Sequence, residues 1–295
     1  MSSSPETIRN SYEHCRQLCR RARSNFIASF LLLPKAKRRG MYALYAFMRH
    51  TDNLADNLHP PQQRARDLAQ WREALDGALR GEVDAESFPL LPALADTVTQ
   101  FNIPPKHLHA VINGVEMDLI QRRYETFEEL EGYCRLVASA VGLACIHIWG
   151  FRGREALEPA AKCGLAMQIT NILRDLAEDA REDRVYLPIE EITRCGYSVD
   201  ELKQGVVNGS FERIMRLQID RAERLYIEGG VLLDYLEPDG RRIFGMMMDT
   251  YRSLLGKIAR RPSDVFSHRV RLSRWGKLRI AARWLLCPSR ARSGR

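Results

Sequence analysis

The chain has 295 residues, 45% hydrophobic and 28% charged, with a net charge of +8. That balance describes a folded globular protein and excludes a disordered or fibrous one. No uninterrupted apolar run approaches the ~18 residues of a transmembrane helix, which argues against a membrane span.

The charge is unevenly spread. Residues 1–39 sum to +7 and residues 252–295 to +12, which leaves −11 between them. Basic ends point to a polyanion: nucleic acid, a membrane surface or a phosphorylated ligand. The acidic body argues against a nucleic-acid coat.

In chain order, Pro34 ahead of Lys35-Ala-Lys-Arg38 predicts a helix start. Met41, Leu44, Tyr45 and Met48 continue it at helical steps. Residues 62–80 form an amphipathic pattern with Leu68, Trp71, Leu75 and Leu79 in phase. Pro89 and Pro92 punctuate the chain, and Pro104-Pro105 opens a helix through about Arg123. Thr126 and Glu129 read as a capping box ahead of a helix carrying Leu130, Tyr133, Val137, Val141 and Ile148. Residues 155–182, 209–236 and 239–259 complete the helical pattern. Two-residue alternation is absent, so the expected fold is all-α without a sheet. One domain is expected over 1–295, with flexible tails at about 1–10 and 287–295.

The seven cysteines are an odd number without a CxxC pair, and they read as buried, inert thiols. Met1 to Arg9 lacks the apolar core of a secretion signal, so a cytoplasmic protein is expected.

Two constellations carry chemistry. In the first, Tyr45, Arg49, Asp52 and Asp56 follow steps of four, three and four, near one helix face. Carboxylates four apart repel unless a cation neutralises them. Mg²⁺ suits such a pair, because it takes one or two carboxylates and shares phosphate oxygens. Arg49 would then hold phosphate by charge-assisted hydrogen bonds. With sixteen aspartates, about one such spacing arises by chance, so this pair alone equally describes a solvated face.

The second constellation is Gln168, Asn171, Asp175 and Asp179, at steps of three, four and four on an otherwise apolar helix. A polar stripe of that kind is costly to bury unless it binds something. Asp183 extends the spacing but sits among solvated charges and reads as a surface residue. Two stripes together suggest facing helices that bracket Mg²⁺ ions and a diphosphate.

These residues resemble the squalene/phytoene synthase family over about Tyr12 to Leu286. The likeness runs through Asn25-Phe-Ile-Ala-Ser-Phe30, Arg38-Arg39, Tyr42-Ala-Leu-Tyr45, Arg49, Asp52, Asp56 and Tyr133 to Gly142. It continues through Gln168, Asn171, Arg174-Asp175, Asp179, Arg184-Val-Tyr186-Leu-Pro188 and Tyr251-Arg252. The resemblance implies a single helical isoprenoid-synthase domain around a central cavity. It also implies head-to-head (1′-1) condensation of two allylic isoprenyl diphosphates.

By the same resemblance, Asp52, Asp56, Asp175, Asp179 and Asn171 hold several Mg²⁺ ions with the substrate diphosphate, with Gln168 beside them. Tyr45, Arg49, Tyr186 and Tyr251 line the substrate, Phe26 and Phe30 lie near the cavity mouth, and Arg269 contacts diphosphate. Tyr133 matches a tyrosine discussed as a general base. The segment Arg21-Ala-Arg-Ser-Asn25 departs from the His-Ser-Lys-Ser pattern of some members.

The leading expectation is farnesyl diphosphate as substrate, giving presqualene diphosphate or squalene. The alternative is geranylgeranyl diphosphate, giving phytoene. A non-catalytic membrane-associated scaffold predicts eroded aspartates, and all four are present. No Gly-rich dinucleotide fingerprint occurs, so NADPH use is neither inferred nor excluded. No RNA module occurs, and nucleic acid is not an expected partner. Trp275, Leu278, Ile280, Trp284 and Leu285, interleaved with Arg and Lys, suggest a helix lying on an anionic membrane, a peripheral position on its inner face. A basic helix packed on the domain fits the same residues.

Overall fold

Proline punctuation, side-chain caps and helical periodicity set the elements. The computed structural model describes residues 4–21, 27, 29–56 and 59–286. Every regular element among them is helical, with no named strand and only two isolated bridges, Arg123 to Val185 and Phe151 to Leu236. Phe26, Cys287 and the expected C-terminal tail lie outside the described residues.

The contacts divide the chain into two compact units. The first comprises Met1–Ile120, Ala140–Arg152 and Leu236–Ile243, and the second comprises Gln121–Ser139, Gly153–Tyr235 and Phe244–Arg295.

The first unit contains α1 (Pro5–Arg21), α2 (Lys35–Asp56), α3 (Pro61–Leu79), α4 (Leu91–Gln100), α5 (Pro105–Asp118) and α7 (Ala140–Trp149). Helix α1 begins inside the segment expected to be a tail. Pro61 and Pro105 stand in the first turns of their helices, where a missing N–H costs nothing. Trp71 is fully buried, stacks on Phe47 at 5.7 Å, and donates from Nε1 to Thr51 Oγ1 at 2.9 Å. Phe47 is thus a core residue of this unit. Helix α5 stops at Asp118, short of the expected Arg123. Residues beyond it leave the helix because Arg122 O accepts from Val185 N at 2.8 Å and Tyr124 O from Ile189 N at 3.0 Å.

The second unit contains α6 (Phe127–Cys134), a π-helical segment (Arg135–Ser139), α8 (Leu157–Arg181), α9 (Ile189–Arg194), α10 (Val199–Gln204), α11 (Gly209–Gly230) and α12 (Leu232–Tyr235). Most of α13 (Pro238–Arg260) also belongs to it, followed by α14 (Asp264–Ser267) and α15 (Arg274–Leu286). Thr126 caps α6 as expected, accepting from Glu129 N, while the Glu129 carboxylate reaches back to Glu125 N. The expected helix 209–236 is interrupted at Val231.

Helix α8 runs along α11, joined by a buried hydrogen bond between Thr170 Oγ1 and Tyr226 OH at 2.8 Å. Buried Glu191 ties α9 to α11, accepting from Gln218 at 2.6 Å and from both Arg221 terminal nitrogens at 2.9 and 2.5 Å. The Arg221 guanidinium also lies 3.7 Å from the centre of the Phe127 ring, which anchors α6. Gly164 on α8 meets the π segment closely. A Cβ there would stand 2.7 Å from Ser139 Cα, so only glycine permits the approach.

The helical run Phe127–Trp149 is long and apolar enough by length and composition to cross a bilayer, and half of its apolar window is buried in the fold. Counting uninterrupted apolar residues passes over it, because Arg135 and polar residues break the run. Five of the six described cysteines are buried. Burial pushes the thiols of Cys145 and Cys163 up to about 12, which fits inert core thiols.

Candidate active site

Each unit carries one acidic stripe. In the first unit, α2 presents Arg49, Asp52 and Asp56 along its exposed side and buries Met41, Leu44 and Phe47 on the other. Loss of surrounding water and the Asp56 charge push the Asp52 carboxyl up to about 6, against the opposing pull of Arg49. Asp52 still presents surface to solvent, so it is recessed rather than cored. Phe30 is fully buried, with its ring 6.4 Å from Tyr45 and 5.8 Å from Tyr42.

In the second unit, α8 carries Gln168, Asn171, Asp175 and Asp179 in phase, with Ile169, Ile172, Leu173 and Leu176 buried between them. Asn171 Nδ2 donates to Gln168 Oε1 at 3.3 Å, while Asn171 Oδ1 is buried and accepts from none of the described residues. Asp175 is held by two guanidinium groups. Arg174 Nε donates to Oδ1 at 2.8 Å and its Nη2 to Oδ2. Arg269 donates from Nη2 to Oδ2 at 3.0 Å and pairs through Nε with Oδ1 at 2.9 Å. Burial and the Asp175 charge push Asp179 up to about 7, against Arg184.

Asp183 is a surface residue, as read from the sequence. Its carboxylate pairs with Lys203 at 2.5 Å and Arg123 at 3.2 Å, and the Lys203 hydrogen bond leads in holding it below the usual range.

Tyr133 and Tyr186 come together with Tyr124, a residue the sequence reading did not single out. The ring centres lie 5.4 to 5.9 Å apart, and Tyr186 stacks on both others. Tyr124 lies outside any helix, so periodicity gives no signal for it. Its position comes from the pairing of residues 122–124 with 185–189. Arg174 was equally hidden as a partner of Asp175, because adjacent helical residues do not normally face each other. Tyr251 lies half-buried on α13.

The donors of each stripe, taken by itself, suit a hard divalent cation shared with a ligand. Among the described residues no group of three or more His, Cys, Asp or Glu is assembled to cage a metal. Mg²⁺ does not require such a cage, since it binds through one or two carboxylates and completes its shell with waters and phosphate oxygens. Carboxylates lifted towards neutrality and an unpartnered buried amide oxygen are the acceptors that such an ion satisfies.

A family model described as Squalene/phytoene synthase matches residues 19–276. The chain belongs to the squalene/phytoene synthase family. It is a prenyltransferase of isoprenoid biosynthesis, and the family binds isoprenyl diphosphates. It is 34% identical over 284 residues to a 15-cis-phytoene synthase of Synechococcus elongatus, covering 92% of this chain and 91% of the relative. Among solved structures it is similar to squalene synthase HpnC from Alicyclobacillus acidocaldarius. That likeness has a TM-score of 0.82 and 28% identity, over 88% of this chain and 97% of the other. A dehydrosqualene synthase in complex with ligand gives 0.85 and 27%, over 95% and 97%.

Proposed function

We propose that this protein condenses two geranylgeranyl diphosphates head to head to form phytoene. The observation that carries this reading is the 34% identity to a 15-cis-phytoene synthase across 92% of the chain. The family resemblance favours the C15 substrate; that relative moves the preference to C20. Phytoene formation ends in proton loss and consumes no reductant, so NADPH is not required for it.

Mg²⁺, when bound, supplies charge that neutralises the leaving diphosphate and lets an allylic C–O bond ionise. Each stripe offers oxygen ligands for such ions: Asp52 and Asp56 on α2, and Asn171, Asp175 and Asp179 on α8. Arg49 and Arg269 place guanidinium donors for phosphate oxygens. Gln168 orients Asn171 through their hydrogen bond. Tyr45, Tyr251 and Phe30 are assigned to the substrate side, with Phe30 acting from behind the Tyr45 ring. Tyr133 and Tyr186 offer aromatic faces to a passing carbocation, and Tyr133 or the released diphosphate takes up the proton that is lost. Contact with an anionic membrane suits release of an oily product.

Incubation with Mg²⁺ and labelled C15 or C20 diphosphate, with and without NADPH, tests this. A C40 product from the C20 substrate, independent of NADPH, is expected. A C30 product from the C15 substrate alone restores the shorter reading, and no product from either overturns both.

A further inference from the structure

Helix α15 has two unlike faces. Trp284 is buried on the inner face at 3% exposure, and its Nε1 donates to Asp249 Oδ2 at 2.8 Å. Its ring fills the place where a Gly245 side chain would stand, since a Cβ there would lie 2.1 Å from Trp284 Cη2. The inner face is therefore committed to α13.

The outer face is apolar and uncovered. Trp275 is 81% exposed, Leu278 58%, Leu285 50% and Leu286 79%. With exposed Ala282 between them, they fall within about 100° of arc at 100° per residue. Arg274 borders this stripe on one side and Arg279 and Arg283 on the other. Ile280 and Trp284, which the sequence reading grouped with the stripe, turn inward.

A cavity of about 340 Å³ stands next to the start of this helix. Lys257, Arg260, Arg261 and Arg271 line it, with His268, against the single carboxylate of Asp264. Two of these cations are held by backbone oxygens: Lys257 donates to Arg271 O at 2.9 Å and Arg260 to Gly256 O at 3.0 Å. Among the described residues none of the four makes an ion pair with a carboxylate. The C-terminal end of α13 accounts for favourable placement of Lys257, Arg260 and Arg261. It does not account for Arg271, which enters from the following segment. Four like charges around one cavity call for an anion.

We propose that the outer stripe of α15 and this cationic cavity form one docking surface for an anionic lipid bilayer. Lipid phosphates occupy the cavity, and Trp275, Leu278, Leu285 and Leu286 enter the boundary between headgroups and acyl chains. Arg271 lies four residues before Trp275 in the chain, and Arg274 and Arg279 flank the apolar stripe itself. The sequence after α15 adds Arg290, Arg292 and Arg295 without an acidic residue. Nucleic acid matches the cations but offers nothing to the leucines. A second copy of the chain would set Arg274 and Arg279 against their own kind, Arg283 being paired with Asp249 at 3.4 Å. The surface shares no residue with the proposed substrate site, so its test stands or falls separately from the phytoene reading.

The test is sedimentation of the full chain with vesicles of phosphatidylcholine alone or with about 30% phosphatidylglycerol, following tryptophan fluorescence. Binding and a blue shift are expected only with the anionic vesicles, and about 0.5 M salt should weaken binding severalfold by screening. Trp275→Ser with Leu278→Ser should weaken it about tenfold or more, given the apolar area withdrawn. Arg260→Glu with Arg261→Glu should abolish it, while circular dichroism and turnover of detergent-dispersed substrate stay at wild-type values. Equal binding to both vesicle types, or unchanged binding by either double variant, overturns the proposal. So does binding of inorganic phosphate or RNA without vesicle binding, or a dimer in ultracentrifugation that Leu278→Ser disperses.

Discussion

On α8, Asn171 and Asp175 stand one turn apart in opposite states: the Asn171 Oδ1 is buried and unpartnered, while the Asp175 carboxylate is held by Arg174 and Arg269. One oxygen lacks a positive partner and its neighbour has two. A divalent ion entering this stripe gains Asn171 directly and must compete with guanidinium for Asp175.

Removal of that ligand set should therefore be severe for turnover and mild for folding. Asp175→Ala should lower Mg²⁺-dependent release of diphosphate by at least about a hundredfold, since Lewis-acid charge stabilisation is worth several kcal/mol. Asn171→Ala should fall between it and wild type. Helical circular dichroism should be unchanged in both, and near-wild-type rates would remove this stripe from the metal site.

Arg269 gives a prediction of opposite sign for metal and substrate. Arg269→Gln frees one side of Asp175, so Mn²⁺ binding without substrate, read by paramagnetic resonance, should tighten severalfold. The KM for the diphosphate should rise, because a phosphate contact is lost. If metal affinity is unchanged, the ion pair is not a competitor of the metal.

The raised carboxyls set a pH dependence. Asp52 at about 6 and Asp179 at about 7 lie above the ordinary carboxylate range near ~4. In the metal-free protein the folded state therefore binds more protons than the unfolded state between those limits, and stability should rise as pH falls from above 7 towards 4. Metal binding needs the ionised forms, so the increase in Tm caused by Mg²⁺ should grow from about pH 5 to about pH 8. Asp179→Asn should raise the metal-free Tm at the upper end and shrink that Mg²⁺ increment. A Mg²⁺ increment independent of pH contradicts both assignments.

The Glu191 and Arg221 pair makes a stability prediction away from the chemistry. Burial alone would raise the Glu191 carboxyl, but hydrogen bonds and charge from Arg221 hold it below its usual value. Arg221→Met strands a buried carboxylate and should cost about 3–5 kcal/mol in urea unfolding. The double replacement Glu191→Leu with Arg221→Met should recover much of that loss.

Much of this is legible in the sequence. Helical steps exposed the two acidic stripes, and Thr126 with Glu129 marked the start of α6. Three features resisted. The Tyr124 ring reaches Tyr133 and Tyr186 through chain pairing of segments about sixty residues apart, which carries no local period. The Arg174 contact joins neighbours that spacing rules treat as facing apart. The inward turn of Trp284 depends on Gly245 lacking a side chain, a complementarity between two helices that neither sequence segment shows alone.

Lys37 has a consequence for how the protein is made. Its ammonium group donates to Trp149 O and Glu237 Oε2, both at 2.7 Å, and to Asp239 Oδ1 at 3.1 Å. Glu237 is 200 residues further along the chain. At about 5–20 residues per second, the ribosome needs roughly 10–40 s to deliver that partner after Lys37 has emerged. The first unit is therefore not finished when its N-terminal helices are synthesised; Lys37 stays hydrated until a short segment from the last quarter of the chain arrives to close it.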